Sequence, residues 1–185
     1  MTGTDLKVSK TSLGGVLLLE PKCYGDSRGF FMESYSRRKL ADAGVDMDFV
    51  QDNHSRSSKG TLRGLHYQIK HSQAKFVRVC AGSAFDVALD LRRSSPTFGK
   101  WESFTLSAEN RLQLFVPAGF AHGFCALEDS TEFLYKCGDY YFPEHERGIL
   151  WSDPKLNIPW PVKNPLLSAK DAVYPLFDDC RDFFD

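Results

Sequence analysis

An antiparallel β-sandwich or barrel is the fold class this sequence predicts. Helix signals are scarce, and from residue 50 to residue 151 the chain reads as short strands with turns every ~8–12 residues. Aromatic side chains make up 14% of the 185 residues, with 15 Phe among them, and many stand in alternating patterns that suit a pleated surface.

The elements follow in order. A short helix is predicted over 36–43, with Ser36 as N-cap and Gly44 as stop. The clearest hairpin is predicted over 75–92: a strand at 76–80, a turn at Ala81, Gly82 and Ser83, and a return strand at 84–91. In the return strand Phe85, Val87, Leu89 and Leu91 share a packing face. Asp86, Ala88 and Asp90 share the other, which faces either solvent or a polar lumen. A turn at 94–99 precedes strands at 101–106 and 112–116. A turn at Pro117, Ala118 and Gly119 precedes strands at 123–126 and 132–137. From Asp153 the chain turns proline-rich (Pro154, Pro159, Pro161, Pro165), which suits an irregular arm laid over the β body. One helical turn is expected from Ser168, with Asp171 three residues on, as in a capping box with a shorter acid. The expectation is a single domain over 1–185, with a barrel body at about 50–151 and an arm at about 152–185.

Composition narrows the function classes. Hydrophobic residues are 42% and charged residues 25%, ordinary for a soluble globular chain. A net charge of −1 provides no basic field for nucleic acid. No apolar run approaches the ~20 residues of a membrane span. The polar stretch 1–11 lacks the apolar core of a signal peptide, so the cytoplasm is the expected compartment. Five cysteines, an odd number without Cys-x-x-Cys spacing, are expected to be reduced and mostly buried.

The chemistry concentrates in Gly60-Thr61-Leu62-Arg63-Gly64-Leu65-His66-Tyr67-Gln68. In an extended chain Arg63 and His66 point to opposite faces, and a twist or bulge at Gly64 would bring both onto one ligand. That joins an anion anchor to a group that titrates near neutrality. The alternative is a core histidine satisfied by a backbone carbonyl. Tyr135 stands in a strand, where tyrosine packs or donates a proton. Lys75 and Lys170 are solvated charges unless a carbonyl lies near, where a fixed ammonium stabilises developing negative charge. Asp171 is a surface carboxylate, or the partner that sets a histidine's tautomer. His54, His71 and His145 are expected to be surface or structural.

His122 lies in Pro117-Ala118-Gly119-Phe120-Ala121-His122-Gly123-Phe124, which resembles the second signature of cupin barrels. Metal cupins add a His-x-His pair and a glutamate upstream. Here His66 stands alone, with Tyr67 and Gln68 after it, so the expected metal triad cannot be assembled.

A longer series of motifs resembles the dTDP-4-dehydrorhamnose 3,5-epimerase family, from about residue 15 to about residue 176. The series begins with Asp26-Ser27-Arg28-Gly29-Phe30-Phe31-Met32-Glu33 and Gln51-Asp52-Asn53-His54-Ser55. It continues with the 60–68 segment, Phe85-Asp86-Val87-Ala88-Leu89-Asp90-Leu91-Arg92, Ser95-Pro96-Thr97-Phe98-Gly99 and the 117–124 segment. It ends with Tyr135-Lys136, Tyr140-Tyr141, Ile149-Leu150-Trp151 and Leu167-Ser168-Ala169-Lys170-Asp171. The resemblance implies a cupin-type jelly roll working without metal or other cofactor on a dTDP-4-keto-6-deoxy sugar. It implies His66 as general base with Asp171 as its partner, Tyr135 as the acid on the opposite face, and Lys75 near the sugar carbonyl. It further implies Arg28, Glu33, Gln51, Asn53, Arg63, His122, Tyr141, Glu146 and Lys170 as substrate contacts. An aromatic platform for thymine is expected from Phe30, Phe31 or Tyr140, and a homodimer whose sites are shared between subunits. The loop 69–74 is short beside many relatives. The rivals are a C3-only or C5-only epimerase of a related sugar, a metal-dependent cupin enzyme, and a non-catalytic sugar-nucleotide binder.

Overall fold

The alternating segments build two facing antiparallel sheets in the computed structural model, which describes residues 5–185. Residues 1–4, part of the polar N-terminal stretch, lie outside the described residues. The elements are β1 (Leu6–Lys10), β2 (Leu17–Pro21), β3 (Cys23–Asp26), β4 (Gly29–Met32), α1 (Arg37–Asp42), β5 (Gln51–Ser57), β6 (Leu62–Gln68), β7 (Lys75–Ala81), β8 (Ser83–Asp90), β9 (Trp101–Ser107), β10 (Gln113–Val116), β11 (Phe120–Ala126), β12 (Thr131–Cys137) and β13 (Glu146–Gly148). One sheet runs β1-β2-β10-β7-β12-β5 and the other β13-β6-β11-β8-β9, the jelly-roll arrangement expected. The strands β1 and β2 pair along the first sheet, so the barrel takes in residues well before the expected start near 50.

The predicted strands form, but one pairing differs. The strands β7 and β8 do not pair with each other. β7 lies between β10 and β12, and β8 lies between β11 and β9. The chain turns at Gly82, in the left-handed region at φ 67°, and passes from one sheet to the other. The faces of β8 sort as expected. Ala84 and Ala88 enter the core between the sheets, with Asp86 between them on that inner face. Phe85, Val87, Leu89 and Leu91 face outward into a second core that the C-terminal arm completes with Leu156, Ile158, Trp160 and Phe177. Leu40 of α1 plugs a third cluster outside the six-stranded sheet, with Leu19, Phe76 and Phe115. Ser36 caps α1 through Lys39 N–H, and Gly44 follows at φ 92°. The turn at Ser168 forms a single turn and no helix, and Ser168 Oγ accepts from Asp171 N–H at 3.2 Å. All five thiols are free. Only Cys125 and Cys137 are fully buried, fewer than expected.

Asp90, at the end of β8, is fully buried. It accepts from Arg92 Nε (2.9 Å), Arg92 Nη2 (2.7 Å), Ser95 Oγ (2.6 Å) and Thr97 Oγ1 (2.6 Å). Burial opposes its charge, but these donors outweigh burial and draw its pKa from 3.8 to about 2. A depressed carboxylate stabilises the fold above the unfolded pKa and loses that contribution as pH falls toward the folded value. From pH 4 to pH 2 this group therefore contributes a loss of about 2 kcal/mol. Asp90→Asn removes that component, so its urea midpoint changes less over this window than the wild type's. Equal slopes for the two proteins would exclude this role.

Candidate active site

Strand alternation alone would turn Arg63 outward with Leu65 and Tyr67. The register between β6 and β11 shifts at this point: His66 pairs with His122, but Arg63 pairs with Phe124. The extra residue on β6 makes a bulge at Gly64, whose φ is 127°. The bulge reverses the phase of the strand. Leu65 and Tyr67 stay in the outer core, while Arg63 and His66 both line one cavity between the sheets. The cavity has a volume of about 370 Å³.

On the wall of the five-stranded sheet, His66 meets Asp171 through its Nε2. Asp171 is buried and comes from the arm, where Ser168 Oγ donates to its other oxygen at 2.7 Å. Burial works against the Asp171 charge, but His66, Ser168 and Lys170 together hold its pKa below the ordinary carboxylate value. With Nε2–H given to the carboxylate, the neutral ring keeps Nδ1 as its basic nitrogen. Tyr174, also from the arm, packs edge-on against the His66 ring, with centroids 5.7 Å apart.

The facing wall belongs to β5, β7 and β12 of the six-stranded sheet and carries Gln51, Asn53, Lys75 and Tyr135. Burial, and then Cys137, raise the Tyr135 pKa above the ordinary phenol value, against a smaller opposing pull from Arg63. The phenol is therefore protonated throughout the neutral range. Lys75 is only partly covered by surface area, but its ammonium sits deep enough that burial lowers its pKa. Cys137, Asp86 and Glu146 offset part of that cost. The stacked rings of Phe124 and Phe133, 4.1 Å apart, join the two sheets beneath the cavity.

Glu146 organises the rim. It accepts from Tyr141 Oη and Lys170 Nζ, and from Tyr174 Oη at 3.3 Å. Burial disfavours its charge, yet Lys170 and Tyr141 keep its pKa below the usual value. The same hydrogen bond, followed by burial, pushes Tyr141 up to about 12.

Eleven side chains named from the sequence therefore meet in one cavity: His66, Tyr135, Asp171, Lys75, Gln51, Asn53, Arg63, His122, Tyr141, Glu146 and Lys170. Five do not. Arg28 pairs with Asp26 and Glu33 with Lys39, both away from the cavity. Phe30 and Phe31 stand on the β3–β4 hairpin, 59% and 70% exposed. Tyr140 lies beside the rim, its carbonyl accepting from Gln68 Nε2 at 3.1 Å, with its ring exposed and off the lining. Sequence reasoning passed over Gln68 and Gln73. Gln73 Nε2 donates to the Asp139 carbonyl at 2.8 Å, and Gln68 Oε1 accepts from Phe142 N–H at 2.7 Å. The two glutamines thus hold the segment that presents Tyr141. Neutral amides in a strand and a loop give no signal of this. Among the described residues no three His, Cys, Asp or Glu side chains gather as a metal site.

Residues 10–179 match the family model described as dTDP-4-dehydrorhamnose 3,5-epimerase. A relative of that name from Shigella flexneri is 56% identical over 97% of this chain and 99% of its own. Another from Pseudomonas aeruginosa is 54% identical over 96% of this chain and 99% of its own. A solved structure of the Legionella pneumophila dTDP-6-deoxy-D-glucose-3,5-epimerase, in complex with dTDP-4-keto-L-rhamnose, superposes with a TM-score of 0.92 at 48% identity. That match covers 95% of each chain.

Proposed function

The chain belongs to the dTDP-4-dehydrorhamnose 3,5-epimerase family, and from that premise we propose how its residues invert C3 and C5 of dTDP-4-dehydro-6-deoxy-D-glucose on the way to dTDP-rhamnose. The observation that carries the reading is a single cavity with the His66–Asp171 pair on one wall and Tyr135 on the facing one. Both carbons lie α to the C4 ketone, so their protons are acidified. His66 removes a proton from one face, and Asp171 stabilises the imidazolium that forms. Charge moves onto the C4 oxygen as an enolate, where the Lys75 ammonium is the stabilising cation. Tyr135 returns a proton from the other face, which inverts the carbon. Two different proton carriers are needed because a single group on one face would return the proton where it was taken.

Arg63 and Lys170 serve the diphosphate through charge-assisted hydrogen bonds. Gln51, Asn53, His122, Tyr141 and Glu146 position the sugar nucleotide. Arg28, Glu33, Phe30 and Phe31 lie too far along the chain's own surface to join this cavity, and their exposed hairpin suits delivery to the site of a second subunit. A homodimer with shared sites is part of the proposal, with Tyr140 or the hairpin phenylalanines as the thymine platform. So is a cytoplasmic setting, in keeping with five free thiols. No helix among the described residues is long and apolar enough to cross a membrane.

Tyr135→Phe tests the acid. With the keto sugar in D2O, NMR is expected to show C5 inversion slowed by roughly a hundredfold or more. Inversion at the wild-type rate would remove Tyr135 from the mechanism.

A further inference from the structure

The cavity wall carries a second histidine, His122, backed by a buried carboxylate, Asp86, to which the mechanism above gives no role. His122 is the cross-strand neighbour of His66. Its Nε2 lies 3.0 Å from both carboxylate oxygens of Asp86. Asp86 is 0% exposed and His122 7%. At the far end of the same strand, Asp90 is satisfied by an arginine, two hydroxyls and a backbone amide. Asp86 has none of these. Among the described residues His122 is its one side-chain hydrogen-bond partner. A buried carboxylate held by so little is costly to the fold, which points to use in the site.

Asp86 also acts on Lys75. The groups that bear on the ammonium are Cys137, Asp86 and Glu146, with Tyr135, His122 and Arg63 sharing the cavity wall. Arg63 carries like charge, and Glu146 is already engaged by Lys170 and Tyr141. Burial holds the Cys137 thiol in its neutral form, so Asp86, bonded to His122 on the same cavity wall, is the carboxylate left to balance Lys75 from inside the barrel.

We propose that Asp86 is a positioning residue of the reaction, anchoring His122 by Nε2 and serving as the buried counter-charge of the Lys75 ammonium where the enolate oxygen develops. The inference rests on the role given to Lys75 above. Anchoring leaves His122 with Nδ1 as its one free ring nitrogen, so its polarity toward the sugar is defined. The counter-charge opposes the loss of the Lys75 proton that burial favours.

The test is Asp86→Asn, which keeps shape and removes charge. Turnover is followed by NMR in D2O across pH, alongside KM and the melting temperature. The expected result is kcat lower by roughly tenfold to a hundredfold with KM little changed. The sign of the pH effect follows from the charge. An anion favours the ammonium, so its loss lets Lys75 deprotonate sooner, and the alkaline limb of kcat moves down by about one pH unit. A limb that stays in place overturns the counter-charge role, whatever happens to kcat. His122→Asn is the companion variant and carries the test by itself if Asp86→Asn does not fold. It keeps the carboxylate, so kcat falls while the alkaline limb must not move down; a downward shift overturns the inference. Failure of the general reading shows elsewhere, as Lys75→Met turning over at the wild-type rate.

Discussion

His66→Asn loses proton exchange at both C3 and C5, with turnover down by roughly a thousandfold or more. Asparagine keeps a polar group at this position but has no nitrogen that can take a proton at neutral pH. The variant leaves Asp171 buried with Ser168 as a remaining partner, so the arm stays docked and the loss is chemical. Nucleotide-sugar binding is expected to persist, since Arg63, Lys170 and the rim are untouched. NMR in D2O reads the result directly, and calorimetry reads the binding. Deuterium entering C3 or C5 near the wild-type rate would show that another base operates.

Gly64→Ala is expected to cost about 4 kcal/mol, a large share of a typical domain's stability. Two effects add. At φ 127° an L side chain is strained. A Cβ there would also lie 2.5 Å from Gly123 Cα and 2.9 Å from the His122 carbonyl oxygen, both backbone atoms that cannot swing aside. Gly29→Ala separates the two effects. Its φ is 131°, but nothing lies within 4 Å, so strain acts alone and the loss is about 1 kcal/mol. Urea denaturation of both variants makes the comparison. A Gly64→Ala protein as stable as the Gly29→Ala one would mean that the two strands relax apart at little cost.

Much of the barrel was legible because its strands alternate cleanly. In β8 the apolar set Phe85, Val87, Leu89 and Leu91 separates from Asp86 and Ala88, and the structure sorts them the same way. What alternation does not contain is the identity of a strand's neighbour. A one-glycine corner at Gly82 looks like a hairpin turn but sends the chain into the other sheet. Strands β1 and β2 were missed because each has five residues, β1 is half-polar, β2 is a run of leucines without alternation, and the pairing of β2 with β10 is a long-range fact. The site was legible where chemistry is concentrated in sequence, as at Arg63 and His66. It was not legible for Gln68, Gln73 and Tyr174, whose roles come from what they touch. The 28–33 segment, named among the substrate contacts, stands away from the cavity within one chain, because a motif carries no position in space.

The arm gives His66 its carboxylate, Asp171, and that has a consequence for assembly. While the 152–185 segment is loose, the outer core over Phe85, Val87, Leu89 and Leu91 is uncovered and His66 lacks Asp171. Under the proposed mechanism such a molecule holds an unaided imidazole and is expected to turn over slowly. Activity is then expected to report the docking of the arm, and a proteolytic nick near Pro159 or Pro161 to lower turnover.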